Sequence, residues 1–204
     1  SKANKELFDL ATKFNIPVVT TLMGRGAFPD GHELCLEMPG MHGNYTATTS
    51  IQKSDLLIAI GVRFDDRVTA NPSFFAQNAK VIHADIDPAE IGKVREAQVP
   101  IVGDAKSVIL GLIEALQDEE LDTKNWINEL NSMKTEHPLS YNQDENGPLK
   151  VPFVLEELQD LTEEGAIVVS GVGQHQMWIS QHWNFTEPNT WLNSGGLGTM
   201  GYSL

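Results

Sequence analysis

The sequence predicts an α/β protein made of two incomplete parallel-sheet, Rossmann-like units that are joined by a polar linker. Short apolar runs alternate with helix-like segments, which is the order typical of a parallel sheet. The runs are apolar throughout, as is typical of strands that are covered on both faces. We place the first unit at residues 1–116, the linker at 117–150 and the second unit at 151–204.

The first unit begins with an amphipathic helix. Apolar residues recur at helical spacing from Leu7 to Phe14, which predicts a helix over residues 2–15. The run at 17–21 is expected to be a short buried strand. Three further strands are predicted in DLLIAIG (55–61), KVIHADID (80–87) and VPIVGD (99–104), and the clearest helix of the unit is AKSVILGLIEALQ (105–117).

The linker is polar and becomes rich in Pro, Asn and Gly near its end, which makes it the best domain boundary of the chain. One amphipathic helix is expected inside it, around Trp126, Leu130 and Met133. The second unit then reads as a helix (151–161), a strand (166–171), a helix that starts in QHQMWISQ, and a strand (189–194). Both ends of the chain look cut, so we expect an excerpt of a longer polypeptide.

Composition restricts the function classes. The chain of 204 residues is 41% hydrophobic and 21% charged, which is ordinary for a soluble globular protein. Its formal net charge of -14 argues against nucleic acid as a partner, but not against a small anion held by backbone amides. The single cysteine, Cys35, rules out an internal disulfide, and no apolar stretch is long enough to span a membrane. We therefore expect a cytoplasmic protein.

Small and turn-forming residues follow four of the predicted strands. In open parallel sheets ligands bind at the carboxyl ends of the strands, and helix N-termini at that edge favour phosphate. Carboxylates there can accept hydrogen bonds from ribose or adenine, whereas the alternative is a set of turn and N-cap residues without a ligand. The residues are Gly24 and Gly26, Gly61, Asp85-Ile86-Asp87, and Gly103-Asp104.

Two loops in the first unit carry more specific chemistry. VRFDDRV (62–68) places two arginines and two aspartates directly after a buried strand. Arginine suits the bidentate binding of carboxylate or phosphate, but an Arg–Asp network that braces the loop explains the pattern equally well. In GMHG (40–43) a Met and a His lie between glycines; the Met could pack on a flat ring or simply fill a gap, and the His is more simply structural.

The stretch GVGQHQMWISQHW (171–183) carries the strongest signal of the second unit. His175 and His182 are seven positions apart, which on a helix separates them by ~10.5 Å and excludes a shared metal ion. A glycine turn between a strand and a helix N-terminus with Gln174 and His175 indicates a phosphate site, although a capped helix that faces a neighbour remains the alternative. The glycines of SGGLGTMG (194–201) suggest close contact with a flat or charged ligand.

Taken together and in this order, these segments resemble the catalytic subunit of the acetohydroxyacid (acetolactate) synthase family, thiamine diphosphate enzymes of branched-chain amino-acid synthesis. The resemblance rests on TTLMGRGAFPDGHELCLEMPGMHG, the stretch from DLLIAIGVRFDDRV to IDPAEIGK, VPIVGDAK, GVGQHQMWISQHW and SGGLGTMGY. It implies that 1–116 is the later part of a central FAD-binding domain. It also implies that 151–204 is the first part of a thiamine diphosphate domain.

The resemblance implies a role for individual residues. Arg67 would recognise the carboxylate of the second 2-oxo acid, and Met200 would lie near the thiamine aminopyrimidine together with Gly198. The diphosphate would be held by Val172, Gly173, Gln174 and His175. The flavin-contacting stretches would include Thr21, Leu22, Met41, His42, Gly61, Arg63, Asp65, Arg67, Asp85, Ile86, Asp104 and Ala105.

The resemblance also implies what lies elsewhere. The catalytic glutamate and the Mg²⁺ ligands of the family would lie outside this chain, so that no metal ligand is expected among its residues. We expect 2-oxo acid substrates, a homo-oligomer and a possible small regulatory subunit. Ala70 stands where the family usually has Gly, which is expected to tighten the loop after Arg67. The alternatives are a pyruvate oxidase or glyoxylate carboligase type of thiamine enzyme, or a non-catalytic nucleotide-binding module.

Overall fold

A computed structural model describes residues 1–204. Its helices are α1 (Asn4–Phe14), α2 (Tyr45–Lys53), α3 (Asp66–Thr69), α4 (Ala105–Ala115), α5 (Lys124–Glu136), α6 (Val151–Asp160) and α7 (Gln174–His182). Its strands are β1 (Leu56–Ile60), β2 (Lys80–Asp85), β3 (Val99–Val102), β4 (Val168–Ser170) and β5 (Trp191–Asn193). The predicted α/β class with parallel sheets is confirmed.

The first sheet has three parallel strands in the order β1-β2-β3. Leu57 pairs with Val81, and Asp85 pairs with Val102, so the three strands point the same way and end at one edge. The core on one face packs Phe64 and Phe75 around Val81, all of them buried. This packing fixes the loops that leave the carboxyl ends of β1 and β2.

The prediction of a strand at 17–21 is wrong, because this segment does not pair with a strand of either sheet. This segment is extended, but it makes one isolated parallel bridge, between Val18 and Cys35, and joins neither sheet. The Val18 amide donates to the Leu34 carbonyl at 2.8 Å, and the Thr20 amide donates to the Glu37 carbonyl at 2.9 Å. Glu37 has a φ of +63°, which turns the partner segment away and ends the pairing.

The linker region contains more structure than its composition suggests. Helix α5 forms around the three residues expected there, and its Leu130 and Met133 are buried. Leu130 packs with Leu36 and Ala47 of the first unit. The part of the chain at 117–150 therefore contributes to the first unit's core, while the domain boundaries at 116 and 151 stay a prediction.

The second unit has a parallel pair of strands, β4 and β5, with α6 and α7 packed together beside it. Val168 pairs with Trp191, and Ser170 pairs with Asn193. The Trp191 indole donates to the Leu22 carbonyl at 2.9 Å, which joins the two units. None of the helices combines the length and the apolar character that crossing a membrane requires.

Candidate functional site

The carboxyl edge of the three-stranded sheet collects the predicted flavin residues that follow strands. Gly61 follows β1, Asp85 and Ile86 lie at the end of β2, and Asp104 and Ala105 begin α4 after β3. The Gly61 amide donates to the Ala84 carbonyl at 2.8 Å, and the Gly103 amide donates to the Asp85 carbonyl at 3.0 Å. The structure thus brings these residues to one edge, as the parallel topology predicts.

The aspartates at this edge are turn and cap residues. Asp85 Oδ1 accepts from the Asp87 amide at 2.9 Å, and Asp104 Oδ2 caps α4 by accepting from the Lys106 amide at 3.0 Å. Each carboxylate uses one oxygen in this way, and its other oxygen makes no hydrogen bond within the protein. The edge therefore keeps acceptors for the hydroxyl or amino groups of a ligand.

The loop after β1 carries an Arg–Asp network. Arg63 pairs with Asp65, and Arg67 Nη1 lies 2.9 Å from Asp66 Oδ2. The Arg67 backbone amide, which donates to Asp65 Oδ1 at 3.0 Å, lowers the pKa of Asp65. The Arg67 side chain is 66% exposed, so its ion pair is worth little and can be exchanged for a ligand anion at small cost.

A buried histidine that the sequence analysis did not single out holds this loop in place. His83, in β2, is fully buried. Its Nε2 donates to the Val62 carbonyl at 2.8 Å, while its Nδ1 accepts from the Gly92 amide at 3.4 Å. His83 also packs edge-on against Phe64, with ring centres 5.0 Å apart. The position of Arg63 therefore depends on a side chain in the next strand.

The turn at 40–43 joins the arginine loop to helix α7. The Met41 amide donates to the Arg67 carbonyl at 2.7 Å. Gly40 has a φ of +99°, and a Cβ there would lie 2.3 Å from that same carbonyl oxygen. The His42 carbonyl accepts from Gln181 Nε2 at 2.8 Å. Met41 and His42 are themselves exposed, so their backbone makes the connection and their side chains remain free to meet a ligand.

The N-terminus of α7 is an open glycine turn. Gly173 is its N-cap residue, and no side chain caps the helix. Gly173 has a φ of +152°, and a Cβ there would lie 3.0 Å from the His175 ring, which folds back over the turn. Gln174 and His175 are exposed, whereas Val172 is half-buried. The helix thus begins without a side-chain cap and carries two exposed side-chain donors, an arrangement that suits phosphate.

The second glycine segment lies beside this turn. A Cβ on Gly171 would lie 3.3 Å from Ser203 Oγ and 3.8 Å from the Gly201 amide nitrogen, so the end of the segment contacts the start of the turn. Gly198 has a φ of +71°, and the Met200 side chain is 81% exposed. Gly171 thus lies beside the end of the glycine segment, while a shared ligand for 172–175 and 198–200 stays a prediction.

Beneath the turn lies a polar contact between α7 and β5 that was not predicted. Gln176 Nε2 donates to Asn193 Oδ1 at 3.0 Å, and both residues are more than nine-tenths buried. Asn193 Nδ2 is buried without a hydrogen-bond acceptor. An orphaned amide beside a glycine-rich segment is consistent with a polar ligand at this site.

Thr21 and Leu22 lie at the junction of the two units. Leu22 begins a 3₁₀ turn, and its carbonyl accepts the Trp191 indole. The neighbouring Met23 Sδ lies 2.4 Å from the position that a Cβ on Gly195 would take. The loop that carries these predicted flavin residues therefore rests on the strand that leads to 194–200.

No group of three or more His, Cys, Asp or Glu side chains in the structure is placed to hold a metal ion.

The chain belongs to the thiamine pyrophosphate enzymes, whose central and C-terminal domain models match its two units. Residues 1–112 match the thiamine pyrophosphate enzyme central domain, and residues 171–204 match the C-terminal TPP binding domain of the same enzymes. The family resemblance found in the sequence is thereby confirmed.

Among individual relatives, the chain is 53% identical to the "Acetolactate synthase" of Mycobacterium leprae (strain TN), over 100% of this chain and 33% of the relative. It is 51% identical to the "Acetolactate synthase large subunit" of Corynebacterium glutamicum, over 99% of this chain and 33% of the relative. It is 44% identical to "Acetolactate synthase 1, chloroplastic" of Nicotiana tabacum, over 100% of this chain and 31% of the relative. The chain thus spans about a third of the length of these relatives.

Proposed function

We propose that this chain is part of an acetolactate synthase, which decarboxylates pyruvate and joins the two-carbon unit to a second 2-oxo acid, pyruvate or 2-oxobutyrate. The observation that carries the proposal is the turn at 40–42. Its backbone ties the carbonyl of Arg67 to Gln181 of α7, the helix whose N-terminus is open to phosphate. An anion-binding arginine and a phosphate-binding helix are thus parts of one connected framework.

The residues at the N-terminus of α7 fit the diphosphate of thiamine diphosphate. The turn has no side-chain cap, the His175 ring lies beside Gly173, and Gln174 and His175 add side-chain donors. Val172 would line the approach, while Gly198 and Met200 would contact the aminopyrimidine. Thiamine diphosphate supplies the electron sink for decarboxylation of a 2-oxo acid. The Mg²⁺ that accompanies the diphosphate would take its ligands from outside these residues.

The edge of the first sheet fits FAD, which we propose as a second cofactor without net redox in the reaction. Asp85 and Asp104 each present a free carboxylate oxygen, and Gly61, at a φ of +62°, has open space around it. These groups suit ribose or adenine and a close backbone approach. Other contacts would come from Ile86 and Ala105 at the same edge, and from Thr21, Leu22, Met41, His42, Arg63 and Asp65.

Arg67 is the residue that we propose for substrate recognition. Its exposed guanidinium can make a bidentate contact with the carboxylate of the second 2-oxo acid. Its present partner, Asp66, is 71% exposed, so that the exchange costs little. The role would require Arg67 to approach from the flavin side, and the bond from the Met41 amide to the Arg67 carbonyl supports its backbone.

The proposal includes a cytoplasmic homo-oligomer that does not bind nucleic acid and is able to carry a small regulatory subunit. The net charge of -14 supports the exclusion of nucleic acid, because it opposes contact with phosphate backbones. The one cysteine, which is buried and unpaired, is compatible with a reducing compartment.

Product analysis with the intact polypeptide tests the proposal. Incubation with pyruvate, thiamine diphosphate, Mg²⁺ and FAD should give acetolactate, and residues 1–204 alone should give none. Acetyl phosphate would indicate a pyruvate oxidase, and tartronate semialdehyde from glyoxylate would indicate a carboligase of that type. No binding of either cofactor by calorimetry would refute the enzyme assignment in favour of a non-catalytic module.

Two matched variants test the role of Arg67. Arg67→Gln should raise the KM for the second 2-oxo acid by about tenfold or more, because a lost charged hydrogen bond is worth ~1.5–3 kcal/mol. Lys93→Gln removes another exposed cation, which is paired with Glu90, and should leave the KM unchanged. Equal effects of the two substitutions would contradict a specific contact.

A further inference from the structure

A buried ion pair connects the two units. Arg25 and Asp30 face each other with two bonds of 2.7 Å, from Nη1 to Oδ1 and from Nη2 to Oδ2. Their side chains are 1% and 0% exposed. Arg25 Nη1 also donates to Thr20 Oγ1 at 3.3 Å. All three residues belong to one loop of the first unit, so the fork between guanidinium and carboxylate is formed within that loop.

The second unit is bound directly by this pair. The Phe185 amide donates to Asp30 Oδ2 at 2.6 Å, and the Asp30 amide donates to the Phe185 carbonyl at 3.1 Å. The Arg25 guanidinium lies 5.7 Å from the centre of the Phe185 ring, within the range of a cation–π contact. Phe185 is itself 1% exposed. Asp30 of the first unit thus binds both the backbone amide and the backbone carbonyl of Phe185 in the second unit.

The surroundings of the pair fit closely. Gly26 has a φ of +81°, and a Cβ there would lie 2.5 Å from the Glu187 carbonyl oxygen. A few residues further on, the Trp191 ring packs against Phe185 at a tilt of 43°, with ring centres 5.2 Å apart, and its indole donates to the Leu22 carbonyl. Residues 185–191 therefore rest on the loop that carries Thr21 and Leu22, and they lead directly into β5 and the glycine segment at 194–201.

We propose that the Arg25–Asp30 pair is a positioning device, which fixes residues 185–191 on the loop at 20–30 and thereby sets the thiamine-binding segments against the flavin edge. The proposal rests on the proposed function for its effect on the reaction. The polar contacts of the two side chains outside the pair are with Thr20, Cys35 and the Phe185 amide, so both are positioning residues that act through Phe185.

The chemistry of the pair suits this role. Hydrogen bonds to a carboxylate are directional, so Asp30 fixes the Phe185 amide in orientation as well as in distance. The other charged and titratable groups around Asp30 are Cys35, whose Sγ lies 3.6 Å from Oδ1, and Glu37. Burial raises the pKa of Asp30 to about 6, against the opposing effects of Arg25 and the Phe185 amide.

The test compares two variants of the intact polypeptide, one at the ion pair and one in a core cluster of the first unit. Asp30→Asn removes the charge and keeps the shape. Leu10→Ala creates a cavity in a separate cluster with Phe14 and Ile109, and it contacts no residue of the second unit. The readouts are hydrogen exchange of the peptide that contains the Phe185 amide, and kcat with both cofactors saturating.

We expect exchange at Phe185 to be about tenfold or more faster in Asp30→Asn than in Leu10→Ala, because only the first change opens the contact between the units. The kcat should fall by about tenfold or more in Asp30→Asn at an unchanged KM, and stay within about twofold in Leu10→Ala. Equal exchange and equal kcat in the two variants would overturn the proposal. Faster exchange with an unchanged kcat would overturn its catalytic part.

If Asp30→Asn does not fold, Arg25→Lys replaces it in the hydrogen-exchange experiment. A lysine keeps the charge but cannot form the fork, so exchange at Phe185 should still rise, and exchange at the wild-type rate would overturn the proposal. A wild-type polypeptide that forms no acetolactate would refute the proposed function instead. The exchange readout needs no activity and would then decide whether the pair fixes the contact.

Discussion

Replacing Ala70 by glycine should stabilise the protein. Ala70 follows α3 and has a φ of +51° and a ψ of -114°, a conformation that side chains with a Cβ rarely adopt. Its amide donates to the Asp66 carbonyl at 2.8 Å, so the residue is held in this conformation by the helix end. The family resemblance implies glycine at this position. The structure supplies the physical reason.

The size of the effect follows from two opposing contributions. Holding a residue other than glycine in such a sparsely populated region costs ~1–3 kcal/mol, which the substitution removes. Glycine gives the unfolded chain more freedom, which costs ~0.4–1 kcal/mol. Ala70 is exposed, so loss of its methyl group costs little packing. The free energy of unfolding should therefore rise by about 1 kcal/mol.

Urea unfolding of wild type and Ala70→Gly, followed by circular dichroism, measures this difference. Ala89→Gly is the matched control, since Ala89 is also exposed and outside helix and strand but has no positive φ. That control should lose ~0.4–1 kcal/mol. If both substitutions destabilise by the same amount, the strain at Ala70 is absent and the reasoning is wrong.

Three further predictions concern the buried contacts. Gly40→Ala should cost ~2–5 kcal/mol in urea unfolding, since its Cβ would meet the Arg67 carbonyl at 2.3 Å, while Gly31→Ala, which meets nothing within 4 Å, should be nearly neutral. The pKa of Asp30 is about 6 in the folded state against an ordinary 3.8, so folding favours its protonated form. Protonation of Asp30 therefore contributes about 3 kcal/mol to the free energy of unfolding below about pH 4, and this contribution is lost as the pH rises through about 6. If the free energies of unfolding of wild type and Asp30→Asn differ by the same amount at every pH, the result would contradict this. Burial raises the pKa of the Cys35 thiol to about 12, so a disulfide reagent should modify Cys35 only as fast as the protein unfolds, and rapid modification of the folded protein would be the contrary result.

Local patterns in the sequence predicted those elements whose stability is largely local. The strands β1 and β2 are continuous apolar runs, and they form within a residue or two of the expected bounds. Helix α2 was missed because YTATTSIQK is rich in β-branched and polar residues, which are weak helix formers. It forms because Asn44 caps it, accepting from the Ala47 amide at 2.7 Å, and because Ala47 packs against α5. Neither the cap nor the packing produces a helical periodicity of apolar residues that the sequence alone would reveal.

The same distinction applies to the candidate site. Parallel strands must end at one edge, so the approach of Gly61, Asp85 and Asp104 followed from topology alone. The support for the arginine loop did not, because the partner of Val62 is His83, in a different strand. The contact between Asp30 and Phe185 joins residues that are 155 positions apart. A motif such as GRGAFPD shows an arginine and an acid in one loop, but not what that pair binds.

The Arg25–Asp30 pair is better explained by geometry than by stability. Removing both charges from water is costly, and replacing a buried ion pair by apolar side chains is often neutral or stabilising. Burial raises the pKa of Asp30 although two bonds of 2.7 Å join it to Arg25, which is the direction expected where desolvation opposes the charged form. Apolar side chains could fill the same space, but they would let the Phe185 backbone slide, because dispersion contacts have no preferred direction. If the proposed function holds, the thiamine segment must be placed against the proposed flavin edge, and bonds that fix orientation serve that placement even where they lower the stability of the contact between the units.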